Sequence, residues 1–145
     1  MFDEEYLFRV EGDYDGVNVM NVFFPIIVKN GDLEERAYAL FDTGATNCVI
    51  TRDLYDKLEV KSAQVSTVST FTDRNMIKLF SIDIIIEDIN GSRYCVNEIK
   101  CSCPIIDTLE FQEDEAVLGL SFIRKFNWTI CFENDKVILT AYNKR

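Results

Sequence analysis

Asn90-Gly91 restricts this chain more than any other pair of residues. Asn-Gly supplies the positive φ angles that the tight turn of a β-hairpin demands. It lies between two strand-like runs. Residues 76–87 put Ile82, Ile84 and Ile86 on one face, and residues 93–106 return. Two further turns repeat the signal. Asn30-Gly31-Asp32 joins residues 17–29 to residues 35–41, and Glu133-Asn134-Asp135 joins residues 128–132 to residues 136–142. Pro25 cannot donate to a ladder, so it marks an edge, a bulge or a break in its run.

The rest of the chain agrees. Residues 6–10 read as a short first strand and residues 11–16 as a polar turn. Val49-Ile50 has strand character. Residues 64–72 form an alternating run of Ser, Thr, Val and Phe, interrupted by Asp73-Arg74-Asn75. Helix signals are few. Residues 51–58 carry a capping Thr51 with Leu54 and Leu58 on one face. Residues 121–126 read as a second short helix opened by Ser121. Residues 110–115 are an acidic, solvated loop. The expectation is a mainly β fold, a small closed or folded-over barrel with one or two short helices.

Composition then excludes whole classes of function. The chain has 145 residues, enough for one domain with a real core, since 48% of them are apolar. Its net charge of −10 disfavours nucleic acid and anionic membrane surfaces as partners. It contains 0 histidines, so Ser-His-Asp and Cys-His mechanisms are excluded. The start, Met1-Phe2-Asp3-Glu4-Glu5, lacks the pattern of a signal peptide, and no apolar run reaches membrane-spanning length. A cytoplasmic location is the expectation. The 5 cysteines, an odd count, favour free thiols. Cys101 and Cys103 face the same side of a strand as two small buried groups. No second cysteine pair completes a metal site, and neither metal nor cofactor is expected.

One stretch stands apart from the strand pattern. Ala39-Leu40-Phe41 runs straight into Asp42-Thr43-Gly44-Ala45-Thr46. A carboxylate at the end of an apolar strand needs a use or a partner. Asp-Thr-Gly is acceptable turn chemistry, so Asp42 could simply cap its own loop. It also suits a general base: Gly44 lets backbone amides come close, and a threonine hydroxyl can tie one loop to another. Two such carboxylates in contact share one proton and can act as acid and base together. The chain has no second Asp-Thr-Gly or Asp-Ser-Gly, so the other half must come from a second copy.

Leu40-Phe41-Asp42-Thr43-Gly44-Ala45 resembles the active-site loop of the retropepsin-like aspartic proteases, and the nearest members are the cellular and bacterial single-domain enzymes. Val117-Leu118-Gly119, followed by residues 120–126, resembles the family's second hallmark, an apolar pair and a glycine before a short helix. The resemblance covers residues 22–139. It implies a closed acid-protease β-barrel, working as a homodimer on peptide or protein substrates without a cofactor. It divides the chain into an N-terminal extension, residues 1–20, and a protease domain, residues 21–145. It implies that Asp42 is the catalytic aspartate and that the Thr43 hydroxyl links the two active-site loops. Gly44 would allow the close backbone approach, and Ala45 would be the small residue behind the loop. Val117, Leu118 and Gly119 would support the loop from beneath. Thr70, Phe71 and Thr72 would form the flap tip over substrate. Family flaps usually carry glycine, but residues 65–78 contain none. The alternative is therefore a catalytically inactive, dimeric peptide-binding module on the same fold.

Overall fold

The computed structural model describes residues 5–15, 21–61, 64–69, 74–104 and 115–144. Ten strands and two short helices make it mainly β. The strands are β1 (Phe8–Asp15), β2 (Asn21–Asn30), β3 (Leu33–Phe41), β4 (Cys48–Ile50), β5 (Gln64–Ser69), β6 (Arg74–Glu87), β7 (Arg93–Pro104), β8 (Glu115–Leu118), β9 (Phe126–Glu133) and β10 (Lys136–Asn143). The helices are α1 (Arg52–Lys57) and α2 (Leu120–Ile123).

The strand order is β5-β6-β7-β4-β8-β3-β2-β1-β10-β9, and an added pairing of β2 with β6 closes part of this sheet into a ring. β2 makes the closure. One of its edges pairs with β3; the other pairs with β1 at Asn21, Val22 and Phe23, then with β6 at Ile27, Val28 and Lys29. Pro25 sits at the handover between these two partners. Phe24, Ile26 and Val28 alternate inward from β2 to meet Ile84 and Ile86 of β6 and Ile99 of β7, all buried. Each such side chain contributes about 1.5–3 kcal/mol by leaving water.

Local chemistry accounts for the elements. Gly31 (φ +60°) turns β2 into β3 within two residues, and Asn134 (φ +55°) does the same between β9 and β10. Thr51 caps α1, its Oγ1 accepting from Leu54 N at 3.2 Å. A bulge bends β7 against β6: Glu98 adopts φ +54° and donates its N–H to Asp83 Oδ1 at 3.0 Å.

Two elements differ from the sequence-based reading. The first strand does not stop at residue 10 but runs to Asp15, with Phe8, Val10 and Gly12 turned inward. Gly12 must be glycine, because a Cβ there would lie 2.5 Å from Phe23 O. The Asn90-Gly91 hairpin lies where the sequence placed it, its connection spanning residues 88–92. Buried Asp88 shapes it, with Oδ1 accepting from Arg9 N at 2.7 Å and Oδ2 from Asn90 N at 2.9 Å. The second helix begins at Leu120 behind Gly119, with no side-chain cap, so Ser121 does not open it.

Candidate active site

The parallel pairing of β3 with β8 builds the site. Register places Leu40 beside Val117 and Phe41 beside Leu118, so both strands end at the same level. Asp42 continues the ladder by one bond, its N–H donating to Leu118 O at 3.0 Å. The chain then turns back. Gly44 N–H donates to Asp42 Oδ1 at 2.8 Å, and Ala45 N–H to Asp42 O at 3.3 Å. Asp42 is half-buried, whereas Thr43 and Gly44 are exposed. Asp42 Oδ2 and the Thr43 hydroxyl have no hydrogen-bond partner among the described residues. One carboxylate oxygen is therefore fixed from within the loop, and the other has no partner among the described residues.

The floor of the loop is the segment after β8. Leu120 N–H donates to Ala45 O at 2.8 Å, and Ser121 N–H to Thr46 O at 2.9 Å. These bonds draw two backbones together over Gly119. A Cβ on Gly119 would lie 2.4 Å from Asn47 O and 2.7 Å from Ala45 O, closer than any side chain tolerates. Val117 and Leu118 are buried beneath. Asp42, Thr43, Gly44, Ala45, Val117, Leu118 and Gly119 thus lie together, joined by backbone hydrogen bonds across a long stretch of sequence.

Sequence reasoning missed three contributors. Ser121 ties three segments together: its Oγ accepts from Cys48 N at 3.1 Å and lies 2.8 Å from Lys100 O and 3.4 Å from Cys48 Sγ. The hydroxyl has one proton for those two acceptors, and the carbonyl is the nearer. Second, Cys48 of β4 lies beside Cys101 of β7 in parallel register, both buried. A hydrogen bond from the Cys101 thiol is the main cause that lowers Cys48 to about 7; burial opposes it, while Ser121 and the N–H groups of Gly119 and Phe122 assist. Burial, then the neighbouring Cys48, pushes Cys101 well above the ordinary thiol range. Third, Trp128 of β9 packs edge-on against Phe41 at 5.1 Å and Phe8 at 5.6 Å, and its Nε1 donates to Ile123 O at 2.7 Å. This aromatic group holds the strand that delivers Asp42. No motif in the sequence marked it.

Two other regions bear on the site. β5 and β6 pair as far as Ser69 opposite Arg74, which makes them the two arms of a hairpin. Thr70, Phe71 and Thr72 lie outside the described residues. At the other end of the sheet, β10 has β1 on one edge and β9 on the other, so residues 136–142 have no edge left to offer. β9 is the terminal strand, and its Ile130 and Phe132 are 44% and 49% exposed. Among the described residues, no group of three His, Cys, Asp or Glu is placed to hold a metal, and no helix is long and apolar enough to cross a membrane.

No protein-family profile and no curated protein matches the chain. Solved structures do. A retropepsin-like aspartic protease from Rickettsia conorii aligns over 98% of this chain and 98% of its own, with a TM-score of 0.61 and 17% sequence identity. At that identity the likeness carries the fold and nothing finer.

Proposed function

We propose that the protein is a homodimeric aspartic endopeptidase in which Asp42 of each copy contributes one carboxylate. The observation that carries this reading is the Asp42 carboxylate itself. One oxygen is held by Gly44 N–H and the other is unpartnered among the described residues, over a floor that admits no side chain at residue 119. The shared fold with a retropepsin-like protease supports it. The sequence has no second loop of this kind, so the site is complete only with another copy.

In the dimer, a water sits between the two Asp42 carboxylates, which share one proton because like charges in contact resist joint ionisation. The ionised carboxylate takes a proton from the water as it attacks the scissile carbonyl. The protonated one donates to the carbonyl oxygen. The substrate lies extended between the Asp42 loop and the β5–β6 hairpin, with Thr70, Phe71 and Thr72 over it, adding its backbone to strand edges. Thr43 bonds across to the partner's loop. β9 offers the interface, because its outer edge is open and its apolar stripe begins at Trp128, which already touches Phe41.

Asp42→Asn tests the reading. Cleavage of an unfolded protein between pH 4 and pH 7 should fall by about 10²–10⁴-fold, while sedimentation still reports a dimer. A wild-type protein that neither cleaves nor binds a statine-type inhibitor, yet dimerises, would instead be the peptide-binding module. A strict monomer at micromolar concentration would sink both readings.

A further inference from the structure

A cavity of about 590 Å³ opens beside the Asp42 loop, and no role has yet been given to its charged side chains. Thr46 and Asn47, which continue that loop, form one wall. Ser121 of α2 and Arg124, which caps its C-terminus, form another, and Lys100 of β7 a third. Gln64, where β5 begins, brings the base of the β5–β6 hairpin to its rim. The cavity therefore lies between the two elements that would hold an extended peptide.

Its charge is the reverse of the chain's. The protein carries 25 acidic and 15 basic residues, yet among the described residues the charged side chains lining this cavity are Lys100 and Arg124. Both are exposed. The ion pairs of the described residues are Arg36–Glu87, Lys57–Asp53, Arg93–Glu34 and Lys136–Asp13, so neither Lys100 nor Arg124 is committed to a carboxylate. The remaining lining includes the hydroxyl and amide groups of Thr46, Asn47, Gln64 and Ser81, which can complete the hydrogen bonding of a bound carboxylate.

We propose that this cavity is an anionic subsite, in which Lys100 and Arg124 select a glutamate or aspartate of the substrate at a position away from the scissile bond. The proposal rests on the endopeptidase reading for its substrate class. An acidic side chain meets net repulsion over most of this chain, so a local pair of uncommitted cations sets where such a side chain can settle. A peptide paired along the loop past Thr46 and Asn47 would carry one side chain into the cavity. Charge-assisted hydrogen bonds there would favour Glu over its neutral isostere Gln by roughly tenfold or more.

The test is a set of peptide pairs built on a sequence the wild-type enzyme cleaves, with Glu or Gln at each flanking position in turn. One position should give a Glu:Gln ratio in kcat/KM of roughly ten, expressed mainly in KM. In Lys100→Glu combined with Arg124→Glu that ratio should fall to one or below, and in Lys100→Arg it should persist. Both residues are exposed, and an unchanged melting temperature confirms the variants are folded. A wild-type enzyme with no Glu preference at any position overturns the proposal, as does a preference that survives the double reversal. If no peptide is cleaved, the endopeptidase reading falls, and the same pairs are labelled and measured by fluorescence anisotropy. Tighter binding of a Glu peptide, lost in the double reversal, then upholds the subsite by itself; equal binding of every pair overturns it.

Discussion

Two elements reach the Asp42 loop, and they differ in how far one chain completes them. The segment from Val117 to Ser121 is complete. Its N–H groups bond the carbonyls of Ala45 and Thr46, and no space remains above Gly119. β9 touches the end of the strand that delivers that loop, through Trp128 on Phe41, then runs outward with Ile130 and Phe132 exposed and, among the described residues, one edge unpaired. The floor fixes where one aspartate stands. In the proposed homodimer the edge is what a second copy would cover. If that dimer forms, substitutions on the two elements should fail in different ways: on the floor the monomer loses stability, and on the edge the dimer alone is lost.

The largest expected effect is at Gly119. Valine there collides with two backbone oxygens, which move only by breaking the bonds from Leu120 N to Ala45 O and from Ser121 N to Thr46 O. Overpacking costs about 1–3 kcal/mol and each lost hydrogen bond about 1 kcal/mol. Urea unfolding of Gly119→Val should thus show a loss of about 3–5 kcal/mol, a large part of a domain's stability. Gly44→Ala is the control on the same loop. Its Cβ would approach only the Asp42 side chain, Oδ1 at 3.1 Å, so the loss should stay below about 1 kcal/mol. Equal losses at the two glycines would remove the distinction between a packed floor and an open loop.

Next in size is the edge. Replacing both Ile130 and Phe132 by aspartate removes two partly exposed apolar groups from each face of a symmetric interface and adds like charges. Burial of the missing apolar surface is worth about 1–2 kcal/mol per residue at these exposures, so the dimer should weaken at least about 100-fold by sedimentation. The melting temperature of the diluted monomer should hardly change. A dimer unaffected by this variant would place the interface away from β9.

The contrast also explains what could be read without coordinates. The Asp42 loop and the Val117-Leu118-Gly119 segment were visible because close backbone approach demands glycine, and glycine is conspicuous in sequence. The same property hid β1: Gly12 takes an inward place in the Phe8, Val10, Gly12 alternation, so its strand looks like a polar turn. Ser121 reads as a helix cap by local rules, whereas its hydroxyl is spent on Cys48 and Lys100, residues far away in sequence. Lys100 and Arg124 had no motif at all; only the fold puts them on one cavity. Edge exposure of β9 depends on which strand β10 pairs with on its other side, which is β1. Local periodicity carries no such information.

The smallest effect probes the floor from inside, through Cys48 and Cys101. With 0 histidines in the chain, few groups other than thiols and the terminal amine titrate between pH 7 and 9. Cys48 is lowered from an ordinary 9.0 to about 7, chiefly by the Cys101 thiol. In that window the unfolded chain binds the proton that the folded chain has released, so stability should rise with pH from about 7 to 9. Above this range the sign reverses, since folded Cys101 keeps a proton that the unfolded chain gives up. Cys101→Ala removes the leading donor, returns Cys48 upward and should flatten the rise between pH 7 and 9. The readout is the urea midpoint across that range, paired with thiolate absorbance of Cys48. A wild-type midpoint that is already flat from pH 7 to 9 would mean that the floor holds both thiols protonated. The Ser121 hydroxyl proton would then be committed to Lys100 O, the nearer of its two acceptors.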